Sequence, residues 1–174
     1  MIATFLASNL EDLGYEIVGP ANNGESVIKL CHEQSPDLAL LDIQMPKIDG
    51  IEAASKIFKE QNIPTVILSA YADPEYVEAG NKIGIFGYLL KPVTKDQLRV
   101  GLEVAWARFL DWSAKKDQVR QYLKDLGTEL QDFQTIVANK DKQEVPVAQQ
   151  KCLSLVTKIE EALVNEFPYQ VPAP

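Results

Sequence analysis

Cysteine and histidine are scarce in this sequence. It contains two cysteines, Cys31 and Cys152, and a single histidine, His32. The cysteines lie far apart and lack the paired spacing of zinc ligands. We therefore expect neither a disulfide framework nor a zinc centre.

Long apolar runs and an excess of positive charge are also missing. No stretch approaches the roughly 20 apolar residues of a membrane span, and residues 1–4 lack the basic start of a secretory signal. The 174 residues carry a formal net charge of −8, which disfavours nonspecific binding to nucleic acid. Since 46% of the residues are hydrophobic, we expect a folded cytoplasmic protein without a membrane partner.

Helices and short apolar strands alternate over the first hundred residues. Four segments have the composition of strands, namely Tyr15–Gly19, Leu38–Leu41, Ile63–Ser69 and Gly87–Leu90. The segments between and before them have helical spacing of apolar residues, and we predict helices over 2–13 with Gly14 as C-cap, 27–30, 51–58 and 74–83. This alternation predicts an α/β fold with a parallel sheet.

The rest of the chain has a different pattern. From Leu98 to Val137 the apolar residues step by alternating fours and threes, which is typical of a coiled coil. We predict a dimer seam formed by Leu102, Phe109, Trp112, Val119, Leu123, Leu126, Leu130 and Phe133. The alternative is one long amphipathic helix that folds back on its own domain. Val145-Pro146 is expected to break the pattern before a short closing helix around Cys152 to Leu163.

Three polar residues follow or end predicted strands. Asp42 follows the second strand, Ser69 ends the third and Lys91 follows the fourth. In open α/β sheets, ligands bind at the carboxyl ends of the strands. A carboxylate, a hydroxyl and an ammonium at one such edge are suited to bind a phosphoryl group, although each alone is equally well explained as a cap or a solvated charge.

The sequence around these residues resembles the receiver domain of two-component response regulators. The resemblance rests on three motifs in the expected order, 40-LLDIQMPxxDG-50, 67-ILSA-70 and 87-GYLLKP-92, and covers about residues 1–105. It implies a flavodoxin-like, doubly wound parallel sheet. We accordingly expect a receiver domain over 1–97, a long helix over 98–140 and a short helical end with a Pro-containing tail over 141–174.

The resemblance also implies a set of roles. Asp42 would accept a phosphoryl group from a sensor histidine kinase, Lys91 would pair with the phosphate and Ser69 would move inward to bond it. Tyr88 would be the aromatic switch residue, and the Lys91-Pro92 peptide bond would be cis. Mg²⁺ would be held by Asp42 and by the backbone carbonyl of Gln44.

One departure from the family pattern concerns the magnesium site. Receivers begin with a hydrophobic strand that ends in two adjacent acidic residues, which hold Mg²⁺, and no such strand precedes the first helix here. Either the chain as given starts at an internal methionine, or it is a degraded receiver in which Mg²⁺ binding is weakened or absent.

Three hypotheses about output stay open. The first is a phosphorylated regulator that signals through a homodimeric coiled coil. The second is an RNA-binding antiterminator of the ANTAR type, although residues 113–174 contain eight Lys or Arg against nine Asp or Glu, where an RNA-binding region should be basic. The third is a pseudo-receiver scaffold that is not phosphorylated. No base and nucleophile pair suggests an enzyme.

Overall fold

The computed structural model describes residues 2–70, 84–138 and 145–166. The chain divides into two compact units, residues 1–109 and 110–174. The elements are α1 (Ile2–Asp12), α2 (Gly24–Gln34), β1 (Ala39–Asp42), α3 (Gly50–Gln61), β2 (Thr65–Ser69), β3 (Ile85–Leu90), α4 (Lys95–Ala138) and α5 (Val145–Glu166). The helix predicted over 74–83 lies outside the described residues.

The sheet of the first unit is parallel, as the alternation of helices and strands predicts. Its described strands lie in the order β1-β2-β3, and β2 in the middle is buried along its whole length. Continuous apolar runs are typical of parallel strands that helices cover on both faces. The predicted α/β architecture is therefore confirmed.

The prediction of a strand at Tyr15–Gly19 is wrong. The segment has no regular secondary structure and pairs with no described strand. A strand exists only where its N–H and C=O groups have a ladder partner, and none of the described strands pairs with this segment. Helix α1 before it does end where predicted, with Gly14 at a φ of +88°.

The beginning of α4 belongs to the core of the first unit. Leu98, Leu102 and Ala105 are buried there, with Leu102 only 5% exposed, and the ring of Phe109 meets the ring of Phe86 edge-on at a centroid distance of 5.4 Å. Leu102 is therefore covered by its own unit rather than by a second chain, whereas Phe109 is only half-buried and its place in the dimer seam stays a prediction.

Helix α5 is longer than predicted. It begins at Val145 rather than after it, so Pro146 sits in the first turn. Proline fits there because its missing N–H is one of the groups that a helix start leaves unpaired anyway. Among the described residues, no helix combines the length and the apolar character needed to cross a bilayer.

Candidate functional site

The carboxyl ends of the three strands bring the predicted site residues to one edge of the sheet. Asp42 ends β1 opposite Leu68, and Ser69 ends β2 opposite Leu90. Lys91 is the next residue after β3, and its backbone N–H donates to the carbonyl of Ser69 at 2.8 Å. The parallel register therefore places all three residues at neighbouring strand ends.

The side chains of Asp42 and Lys91 form an ion pair. The Lys91 ammonium Nζ donates a hydrogen bond to Asp42 Oδ2, and the backbone N–H of Gln44 donates to Asp42 Oδ1 at 3.1 Å. The Asp42 side chain is 36% exposed and that of Lys91 is 21% exposed. The carboxylate is thus held by two donors and is still reachable from solvent.

The start of α3 closes the loop that follows Asp42. The N–H of Gly50 donates to the carbonyl of Ile43 at 3.0 Å, and the Asp49 carboxylate caps the helix by accepting from the N–H of Glu52 at 2.7 Å. A Cβ at Gly50 would lie 2.1 Å from the carbonyl oxygen of Asp42. Glycine is therefore required where the helix start touches the backbone of Asp42.

Sequence reasoning did not assign Gly50 to the site. The signal was present as the Asp49-Gly50 pair, a dipeptide typical of turns. That pattern predicts a turn but gives no information on which backbone the glycine approaches. The contact depends on the packing of α3 against β1, and it becomes visible only in three dimensions.

Ser69 and Tyr88 lie close to this edge in different environments. Ser69 is buried, with 7% of its surface exposed. Tyr88 pairs with Ile67 across β2 and β3 and packs, half-buried, against the hydrophobic core. Burial raises the pKa of the Tyr88 phenol above its usual value. The switch roles of both residues stay predictions.

The Lys91-Pro92 peptide bond is cis. This agrees with the expectation drawn from the family resemblance. The bond directly follows the lysine that pairs with Asp42.

The described residues do not by themselves make a magnesium site. Among them, no three His, Cys, Asp or Glu side chains are grouped so that they could hold a metal ion. The predicted ligands are one carboxylate, Asp42, whose oxygens already accept from Lys91 and Gln44, and one backbone carbonyl. Mg²⁺ keeps several waters and is held by one or two carboxylates, so Asp42 and one carbonyl would supply only part of its coordination, and the predicted ligands among the described residues include no second carboxylate.

Comparison with known families agrees with this fold and this arrangement of side chains. The family model described as the response regulator receiver domain matches residues 1–103. Residues 111–164 match a second model, described as the PsbQ-like domain of CYP38-like peptidyl-prolyl cis-trans isomerase. The first match covers more than half of the chain and includes Asp42, Ser69 and Lys91.

Individual relatives support the same assignment. The transcriptional regulatory protein PdtaR of Mycobacterium tuberculosis is 36% identical over 128 residues, covering 74% of this chain and 62% of PdtaR. The chain thus spans less than two thirds of that relative. The signal receiver domain of a modulated diguanylate cyclase from Desulfovibrio desulfuricans G20 has 33% identity and a TM-score of 0.56, covering 62% of this chain and 86% of that domain.

A further solved structure contains a metal ion. The receiver domain of the sensor histidine kinase PA1611 from Pseudomonas aeruginosa PAO1 carries a magnesium ion coordinated in its active site cleft. It has 26% identity and a TM-score of 0.53, covering 60% of this chain and 88% of that domain. Fold and site therefore define an α/β domain of the flavodoxin-like class. The chain belongs to the response regulator receiver domain family.

Proposed function

We propose that Asp42 accepts a phosphoryl group from a sensor histidine kinase. The observation that carries this proposal is the ion pair of a solvent-accessible carboxylate with Lys91 at the carboxyl end of the sheet. An Asp42 oxygen attacks the phosphorus of a phosphohistidine, the P–N bond breaks, and the electron pair and a proton return to the imidazole. The chain acts as a regulator rather than as an enzyme with a separate substrate.

The charges of the site support this step. An acyl phosphate places about two negative charges at neutral pH where one carboxylate charge stood. Lys91 is already within hydrogen-bond distance of Asp42. After phosphorylation its ammonium can therefore donate to a phosphoryl oxygen instead of to the carboxylate. Charge-assisted hydrogen bonds of this kind are about twice as strong as neutral ones, which gives the modification enough free energy to bias two nearly balanced conformations.

The test is phosphoryl uptake by the full chain. Wild-type protein is incubated with a phosphorylated histidine kinase domain, and with acetyl phosphate as a small donor, and labelling is followed by phosphate-affinity electrophoresis and mass spectrometry. We expect one phosphoryl group, lost in Asp42→Asn. Unchanged labelling of Asp42→Asn would contradict the proposal, and no uptake by the wild-type chain would support the pseudo-receiver scaffold instead.

Asp49→Asn is the matched control. It removes a carboxylate seven residues further along the same loop, and asparagine keeps the helix cap. We expect it to be labelled like the wild type. Loss of labelling here would show that the loop as a whole, rather than the Asp42 carboxylate, determines uptake.

We further propose that α4 passes the state of Asp42 to a dimeric output. The helix begins at Lys95, four residues after Lys91, and runs to Ala138. The name of PdtaR, a transcriptional regulatory protein, supports an output in the control of transcription. In a dimer, a change in the position of α4 in one chain alters its contacts with the second chain, so the state of Asp42 can be passed on.

RNA binding in the manner of an antiterminator is the second candidate output. It is supported by the resemblance of the helical region to ANTAR-type regulators, together with the identity with the transcriptional regulatory protein PdtaR, which extends over 128 residues and so beyond the 103 residues of the receiver match. The slightly acidic composition of residues 113–174 argues against it. Binding to a library of structured RNA hairpins with a clear salt dependence would support it, and binding without a salt slope would contradict it.

A further inference from the structure

The second unit contains a pair of helices that pack along one line. Helix α5 begins at Val145, seven residues after α4 ends at Ala138, and several of its residues between 146 and 158 line one cleft with Asp125 and Glu129 of α4, so the two helices run antiparallel. Ala148 and Ile159 of α5 are buried, with 6% and 9% exposed, and Lys151 Nζ lies 3.8 Å from Glu129 Oε2. This contact places Glu129 and Lys151 at the same level of the pair.

Both helices also expose large apolar side chains. Between 38% and 54% of each side chain is exposed for Leu123, Leu130 and Val137 of α4 and Leu153, Val156 and Leu163 of α5. Leu123, Leu130 and Val137 follow one another at intervals of seven residues, so they form a stripe along α4. The predicted seam is thus divided: Val119, Leu126 and Phe133 are half-buried, whereas Leu123 and Leu130 are exposed.

The two exposed sets lie on the same side of the helix pair. The side of α4 that faces α5 includes the half-buried Tyr122 and Glu129. At about 100° per residue, the stripe of α4 is rotated around the helix axis by roughly a quarter turn from that side. The exposed residues of α5 lie roughly a quarter turn from the line through Ala148 and Ile159, in the same rotational sense. When two antiparallel helices face each other, a quarter turn in the same rotational sense along each chain points to the same side of the pair. We name this side the apolar face.

The opposite side of the pair carries charged as well as apolar residues. A cleft of about 830 Å³ on that side is lined by residues of both helices: Asp125, Glu129, Lys151 and Lys158 are charged, and Pro146, Val147 and Leu155 add apolar surface. Val147, although 62% exposed, borders this cleft. Six exposed apolar side chains of the two helices thus lie on one side, whereas Leu110 and Val147, which are also exposed, lie elsewhere on the unit.

We propose that the apolar face binds the apolar face of a second copy of this chain, which gives a bundle of four helices. The inference rests on the dimeric output of the proposed function and assigns it a surface. A twofold axis parallel to the helices places α4 of one copy opposite α5 of the other. Such an interface is self-complementary, as a closed dimer requires.

Charge complementarity favours a second copy as the occupant. Glu129 and Lys151 lie at the same height along the helix pair. Because Arg120 precedes Glu129 by nine residues and Glu160 follows Lys151 by nine residues, Arg120 and Glu160 also lie at one height in the antiparallel pair. The twofold axis therefore brings Arg120 next to Glu160 of the second copy. Arg120 bonds Asp117 within its own helix at 2.8 Å, an exposed pair that is worth little in water and leaves the cation able to bond a second carboxylate.

Gly127 provides room at the centre of the same interface. A Cβ at this position would meet no atom within 4 Å, so nothing in the single chain requires glycine, which costs about 1 kcal/mol in a helix interior. Gly127 lies two residues before Glu129 and Leu153 lies two residues after Lys151. The twofold axis thus places the exposed Leu153 of the second copy over the glycine.

The experiment measures association of the full chain by sedimentation equilibrium. We expect a dimer at micromolar concentration, weakened roughly tenfold or more in the double variant Leu123→Glu with Leu130→Glu, because two charges would be buried in an apolar interface. Val147→Glu is the matched control on the cleft side and should associate like the wild type. Circular dichroism verifies that the helices persist in every variant.

A charge exchange tests the orientation. Arg120→Glu should weaken the dimer, and Arg120→Glu combined with Glu160→Arg should restore it. A monomeric wild-type chain, a dimer unaffected by the leucine variants, or no restoration by the exchange would overturn the inference. Phosphoryl uptake is measured on the same samples: a monomer that is labelled on Asp42 contradicts this inference alone, and a dimer that is never labelled contradicts the proposed phosphoryl transfer alone.

Discussion

Substitution of Gly50 by alanine tests how tightly the backbone of Asp42 is held by its surroundings. The added Cβ would lie 2.1 Å from the carbonyl oxygen of Asp42, 2.8 Å from its carbonyl carbon and 3.1 Å from Cα of Ile43. All three are backbone atoms, so no side chain can rotate away. Helix α3 or the end of β1 must move by about 1 Å before the contacts become ordinary van der Waals distances.

The energetic consequence follows from that displacement. Overpacking of a well-packed site costs about 1–3 kcal/mol, and the gain in helix propensity from glycine to alanine offsets at most about 1 kcal/mol. We expect a net loss of about 2 kcal/mol, which corresponds to a fall of roughly 8–16 °C in the unfolding midpoint of a domain of about 100 residues. Because the collision is with Asp42 itself, phosphoryl uptake should fall as well.

Scanning calorimetry of the full chain, together with the uptake assay, measures both effects. Gly14→Asn is the control in the same unit, since Gly14 has a φ of +88° and open space around it, and asparagine tolerates such a φ. It should shift the midpoint by only a few degrees. A Gly50→Ala variant as stable and as readily phosphorylated as the wild type would refute the close contact between α3 and Asp42.

Three further predictions concern single side chains. Lys91→Met should reduce phosphoryl uptake more than tenfold while lowering the free energy of unfolding by only about 1–2 kcal/mol, because the pair with Asp42 is partly exposed. Asp49→Ala should cost about 1 kcal/mol by removing the cap on Glu52, measured by urea unfolding. Burial raises the pKa of the Cys31 thiol, so iodoacetamide at mildly alkaline pH should alkylate Cys31 more slowly than the half-buried Cys152, a difference that disappears in urea.

The sequence predicted the position of site residues best where the burial of a strand and the topology of the sheet together determine it. The apolar runs before Asp42 and through Ser69 could be recognised as covered parallel strands, and parallel strands necessarily end at a common edge. The meeting of Asp42 and Lys91 was therefore predictable from their positions after two such runs. The approach of Gly50 to Asp42 was not, because it depends on how deeply one helix packs against one strand.

Local composition failed where a partner strand decides the outcome. Tyr15–Gly19 has the β-branched and aromatic residues of a strand, yet it makes no ladder with any described residue. Strand propensity reflects fit to a half-buried pleated surface rather than a preference of the isolated backbone. A segment with suitable side chains stays irregular when no neighbouring strand offers donors and acceptors in register.

The heptad pattern of α4 shows the same limit for helices. A regular apolar spacing indicates that one side of a helix is covered, but it does not indicate by which surface. Along this helix Leu102 packs in the first unit, Leu126 is half-buried in the helix pair, and Leu123 is exposed. A single coiled-coil seam would treat all three alike. The free energy gained on burial depends on apolar area and not on which surface provides the cover. The sequence period therefore cannot distinguish these partners.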